Sequence, residues 1–183
     1  YRERAGEVGR PLRVGYTTWK SRVGVEVEQA LAADGRFAFR SIRDVASWAE
    51  LRELYQWADV ILGTPGPEEG FYLVGLEAMA AGALLITADA GGNRAYSRFG
   101  RNCLQAEFES ASSYRQVLEQ VLAMTSVQIA EMRSAAYAVL ENHTLERERT
   151  EFGDFVQSLA GLTAAPRPRS AAGSDRTATA DRR

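Results

Sequence analysis

Residues 65–82 read PGPEEGFYLVGLEAMAAG, and two glutamates in this stretch have residue types and spacing suited to chemistry. From Phe71 to Ile86 the chain is apolar or glycine at almost every position, and Glu77 is the only charge in that run. A carboxylate placed in a buried segment is costly unless a partner or a hydrogen bond compensates it. Glu77 therefore either lies at a helix edge and reaches water, or has a partner that the sequence does not display. Glu69 stands eight residues earlier, in a loop, with Glu77 two turns into the helix that follows. Between them Gly70 lets backbone approach a ligand closely, and the first amides of the helix are left unpaired. Unpaired amides at the positive end of a helix dipole suit a phosphate. A carboxylate on either side can accept from sugar hydroxyls, two donors at a time. A second glycine pair, Gly91 and Gly92 in DAGGN, offers either a turn or another close backbone approach.

These groups need a scaffold, and the periodicity of the chain supplies one. Leu12 to Thr17 (LRVGYT) reads as a strand and Val23 to Ala33 as a helix. Phe37 to Ile42 alternates in period two, as a half-buried edge strand does. Ser47 caps a helix running to Ala58, with Glu50 completing a capping box. DVILGTP (59–65) and ALLITAD (83–89) are short buried strands, and CLQAE (103–107) is a last short one. Helices follow over about 112–124 and 127–141, and Thr144 can cap a final helix carrying Leu145, Phe152, Val156 and Leu159. Strands alternating with helices imply an α/β fold with a doubly wound parallel sheet. Such sheets bind ligands outside the carboxyl ends of the strands, at the switch point, so the PGPEEG and DAGG loops belong on one rim. The expected organisation is a lead-in over 1–11, one Rossmann-like domain over 12–160 and a disordered tail over 161–183. The tail is short of large apolar residues and cannot offset its ordering entropy.

The stretch EGFYLVGLEAMAAG resembles the E-x7-E signature of the retaining glycosyltransferases of the GT-B fold, family 4, also called group 1. LYQWADVIL resembles the helix and strand before that signature, DAGGN the glycine loop after it, and FGRNCL the family's glycine–asparagine turn. The resemblance runs from about Leu12 to Leu159 and implies the carboxyl-terminal, nucleotide-sugar-binding half of such an enzyme. It implies that Glu77 binds ribose hydroxyls and that Glu69 contacts the donor sugar. The amides of Gly70, Phe71 and Tyr72 would face the sugar and diphosphate, with Gly91 and Gly92 beside them. The family places a basic pair after the first strand to neutralise the pyrophosphate, and either Lys20 or Arg22 of WKSRVG could serve. The implied substrate is a nucleotide-diphosphate sugar such as a UDP- or GDP-hexose, transferred without a metal or other cofactor. Three departures stand out: the segment from Gly35 to Ser47 is short, Ala95 stands where the family commonly has glutamate, and an amino-terminal acceptor-binding domain finds no room here. The expectation is that this chain is part of an enzyme and inactive alone. Its rivals are a non-catalytic module of the same fold and another GT-B enzyme such as a nucleotide-sugar epimerase.

Composition sets the outer bounds. The 183 residues carry 45% apolar and 25% charged side chains, the balance of a globular domain. A formal net charge of −2 provides no basic field for nucleic acid. One cysteine, Cys103, and one histidine, His143, cannot make a structural zinc site, and a lone cysteine makes no internal disulfide. The expected setting is the cytoplasm, free or peripheral to a membrane, with no transmembrane segment. Cys103 reads as a small core residue, His143 as a capping or surface residue off the rim, and Trp19, Trp48 and Trp57 as packing, Trp19 being on the rim.

Overall fold

The computed structural model describes residues 10–44 and 47–163, with no side-chain description over 160–163. The expectations of a lead-in over 1–9 and of disorder over 164–183 fall outside the described residues. The chain divides into two units, Tyr1–Thr144 and Leu145–Arg183.

In the first unit five strands form one parallel sheet: β1 (Leu12–Thr17), β2 (Phe37–Ile42), β3 (Val60–Gly63), β4 (Leu84–Thr87) and β5 (Leu104–Gln105). Their order is β2-β1-β3-β4-β5, with Val14 flanked by Phe39 and Val60. β2 is an edge strand, as its alternation requires. The helices are α1 (Val23–Leu31), α2 (Trp48–Trp57), α3 (Leu73–Ala80), α4 (Ala111–Ala123) and α5 (Ser126–Leu140). The winding reverses between β1 and β3. The chain leaves β1 for β2 on one side and returns past β1 to β3 on the other, which opens the crevice where such sheets bind ligands.

Period-two alternation sorts the strand side chains between two cores. Val14, Tyr16, Val60, Leu62, Leu84 and Ile86 join Val27 of α1 and Leu118 of α4 on one face. Ile61 and Leu85 point the other way, into Leu54 and Tyr55 of α2, Met79 of α3 and Ala136 of α5. Local signals start the helices. Ser47 Oγ accepts from the Glu50 amide while the Glu50 carboxylate accepts from the Ser47 amide, at 3.3 and 2.9 Å. Thr125 and Gln128 make a second capping box, so α5 begins at Ser126. At the amino end of β3 the buried Asp59 carboxylate is satisfied by both Arg10 guanidinium nitrogens, at 2.6 and 2.8 Å, and by the Arg13 amide. Arg10, within the expected lead-in, is therefore tied to the sheet. In the second unit α6 (Leu145–Thr163) runs past the expected domain end at 160 and exposes Phe152, Phe155, Val156 and Leu159.

Two outcomes are expected from this core. The Tyr114 hydroxyl donates to the Gly63 carbonyl at 2.6 Å, joining α4 to the end of β3. Tyr114→Phe leaves that carbonyl buried without its donor and should cost about 1–2 kcal/mol in denaturant unfolding. Burial also raises the hydroxyls of Tyr55, Tyr72, Tyr96 and Tyr114 above the ordinary tyrosine value, and burial with the Glu28 carboxylate pushes Tyr16 up to about 12. Each of these groups holds its proton more tightly folded than unfolded. Their stabilisation is intact below pH 10, where an unfolded tyrosine ionises, and is lost as pH rises through the folded values. Tyrosinate absorbance and circular dichroism should therefore report one coupled alkaline transition.

Candidate functional site

Three loops leave the carboxyl ends of β1, β3 and β4 and meet above the switch point. Thr18–Arg22 follows β1 and carries Lys20, residues 64–72 follow β3 and carry Glu69, and the loop after β4 folds into a short 3-10 helix at Gly91–Asn93. The Lys20 ammonium donates to Glu69 Oε2 at 2.5 Å and lies 5.5 Å above the centre of the Tyr72 ring. This ion pair spans the β1–β3 crevice. Lys20 is also the only lysine of the chain, whose other 21 basic side chains are all arginine. Arg22 is exposed at the amino cap of α1 and makes no ion pair among the described residues. Of the two candidate cations, Lys20 is the one brought to Glu69.

The loops after β3 and β4 are bound backbone to backbone. The Tyr72 amide donates to the Gly92 carbonyl at 2.8 Å, and the buried Tyr96 hydroxyl donates to the Tyr72 carbonyl. A Cβ on Gly92 would stand 2.6 Å from the Glu69 carbonyl oxygen, so the backbones touch only because residue 92 has no side chain. Gly91 is exposed beside it, where a Cβ would clear the same oxygen by 3.8 Å. The tie corrects one expectation: the Tyr72 amide is occupied by Gly92 and does not face outward. The amides of Gly70 and Phe71 have no acceptor among the described residues. The same tie delays the helix. Tyr72 stays outside helical geometry at φ −94° and ψ 86°, α3 starts at Leu73, and Glu77 is its fifth residue, about one turn in.

Glu77 finds a partner within the protein. The Tyr55 hydroxyl, on α2, donates to Glu77 Oε2 at 2.9 Å. Burial, and then the Glu77 charge, holds the Tyr55 proton well above the usual range, so the phenol stays a donor. Glu77 is half-buried and lines a groove of about 510 Å³ between α2 and α3 with Trp48, Arg52, Tyr55 and Gln56. Glu69 and Glu77 are not in contact with each other, but both charges help to raise the Tyr96 hydroxyl, behind burial and Cys103. At the edge of the site Arg94 donates to Asp89 at 2.8 and 3.2 Å and holds that carboxyl below its ordinary value.

Other expectations change. His143 is not remote from the rim: its ring lies 6.0 Å from Phe71 and 6.1 Å from Tyr96. The turn after α5 returns it there, and no local sequence signal marks that approach. Trp48 is 79% exposed and Trp19 is 41% exposed, so neither is core packing. Trp48 is the first residue of α2, where its indole projects beyond the packed stripe of the helix. Cys103 is buried, and burial raises its thiol, in keeping with a core role. Among the described residues no group of three His, Cys, Asp or Glu could hold a metal ion, and no helix is long and apolar enough to cross a membrane. Tyr55 and Tyr96 carry hydrogen bonds at the site, and the sequence reading left both without a role there.

The sequence pattern of the family described as "Glycosyl transferases group 1" matches residues 21–124, more than half of the chain, and the chain belongs to that family. Its fold is that of the carboxyl-terminal half of a GT-B glycosyltransferase. The α,α-trehalose-phosphate synthase (UDP-forming) of Burkholderia vietnamiensis aligns with TM-score 0.70 and 18% identity, over 87% of this chain and 46% of its own. Alr3699/HepE of Anabaena, solved with UDP and glucose, aligns with TM-score 0.64 and 16% identity, over 81% and 49%. The C-terminal domain of the group 1 family protein LpcC from Francisella tularensis aligns at 0.56 and 17%, over 71% and 84%. At these identities the likeness is one of fold. The chain spans about half the length of the two whole enzymes. No curated protein matches it in sequence.

Gly92→Ala should separate the two loops. Because the facing atom is a backbone oxygen, the clash has no flexible side chain to absorb it, and a loss of about 1–3 kcal/mol is expected in thermal unfolding. Gly91→Ala, whose Cβ has room, serves as the control and should melt close to the unsubstituted chain.

Proposed function

We propose that this chain binds a nucleotide-diphosphate sugar as the donor half of a retaining, metal-independent glycosyltransferase of GT-B family 4. A second domain, outside these 183 residues, holds the acceptor in this reading. The observation that carries it is the Lys20–Glu69 pair across the β1–β3 crevice, beside the unpaired amides of Gly70 and Phe71. This arrangement presents a cation, N–H donors and a carboxylate within one loop cluster. When a sugar leaves its nucleoside diphosphate, negative charge grows on the departing phosphate oxygen. A positioned ammonium and backbone amides stabilise that charge more than they stabilise the ground state. Glu69 then accepts from hydroxyls of the transferred sugar, and Glu77 from those of the ribose. Family membership and neighbours such as HepE, solved with UDP and glucose, support a nucleotide sugar as the ligand class and UDP as the first probe. The buried free thiol of Cys103 suits a cytoplasmic setting, free or at a membrane surface.

The reading is tested by titrating the chain calorimetrically with UDP, GDP and ADP, and repeating each titration on Glu77→Ala. One nucleotide should bind, and the substitution should weaken it by about tenfold or more, the scale of one lost hydrogen bond to a charged group. A folded chain that takes up none of the three removes the donor-site assignment and leaves the non-catalytic module standing.

A further inference from the structure

The LYQWADVIL stretch contains one residue to which the site, as described so far, gives no task. Tyr55 is 4% exposed, packed with Leu51 and Leu54 of its own helix and Met79 of α3. A tyrosine needed only for packing would be served as well by phenylalanine, since a buried hydroxyl must find a partner to offset its desolvation. Here that partner is Glu77 Oε2, at 2.9 Å. Among the described residues no donor reaches Glu77 Oε1, so half of the carboxylate's accepting capacity is left for a ligand.

We propose that Tyr55 is a positioning residue: from its fixed place in the core it holds one oxygen of Glu77, so that the other is presented to the ribose hydroxyls of a nucleotide. The proposal rests on the nucleotide-sugar reading and deepens it. A glutamate has three side-chain torsions, and binding to an unrestrained one costs the entropy of ordering them. A donor fixed in a close-packed core removes that cost before the ligand arrives, as preorganised sites do. The direction of the bond also matters. Because the phenol is held protonated, Tyr55 donates to Glu77, and the carboxylate is kept as an acceptor, the role that ribose hydroxyls require. Helix geometry supports the division of labour. α2 and α3 lie on the same face of the sheet and share one core, and Tyr55 and Glu77 meet across the groove between them.

Tyr55→Phe keeps the ring and deletes only the donor. Binding is measured for UDP, GDP and ADP, each beside its 2′,3′-dideoxy analogue, on the unsubstituted chain, on Tyr55→Phe, on Glu77→Ala and on the double variant. For the nucleotide that binds, Tyr55→Phe should weaken the ribose form about tenfold and leave the dideoxy form unchanged. In the Glu77→Ala background the same substitution should have no further effect, the sign of a pair acting as one unit. Equal loss for ribose and dideoxy forms would mean a structural role only and overturns the proposal, as does an unchanged ribose affinity. If the unsubstituted chain binds a nucleotide but does not distinguish it from the dideoxy form, Glu77 has no ribose role and the proposal falls while nucleotide binding stands. A folded chain that binds none of the three nucleotides overturns both readings.

Discussion

The site depends on one close backbone approach, that of Gly92 to the carbonyl of Glu69. Two loops from neighbouring strands must touch along the main chain before anything else at the crevice has a fixed position. The Tyr72–Gly92 hydrogen bond and the Tyr96–Tyr72 hydrogen bond then lock the contact. They also determine where α3 begins, and so the position of Glu77 along it. Gly75 belongs to the same arrangement, because a Cβ there would collide with the Tyr96 ring. Small residues on one loop and helix thus make room for a tyrosine from the next segment, whose hydroxyl completes the backbone pairing.

Around this contact the charges are arranged in two separate pairs. Lys20 and Glu69 compensate each other at the loop tips, where water reaches the lysine, so the pair contributes little to stability, about 0–1 kcal/mol. Its exposure lets water compete for both partners. Glu77 and Tyr55 are paired deeper, between two packed helices, where a neutral donor satisfies an anion without bringing in a second charge. The first pair is suited to rearrangement and the second to holding one geometry.

Much of the fold was legible because its signals are local or periodic. β1 and β2 have the bounds that their apolar alternation indicates, and the Ser47–Glu50 box starts α2 where it should. Glu69, Gly70 and Glu77 could be singled out because charges and glycines are conspicuous in an apolar run. Other features require contacts between residues far apart in sequence. Nothing near Glu77 announces Tyr55, 22 residues earlier, and the partner that the sequence withheld was already part of the protein. The occupied Tyr72 amide follows from Gly92, and His143 reaches Phe71 only because α5 ends beside the site. Local propensity read the strand alternation well but could not judge Trp48, whose indole starts a helix and is left outside the core.

The solitary lysine has a practical side. Among the side chains of these 183 residues, the ammonium of Lys20 is the sole primary amine. Chemistry directed at the side-chain amines of these residues is thereby directed at the crevice. An activated ester that acylates a side-chain amine of these residues therefore attaches at the loop after β1, beside Glu69. A thiol route is no alternative, since Cys103 is buried. The other 21 basic side chains are arginines, which activated esters leave alone, so a side-chain label on these residues reports on one place.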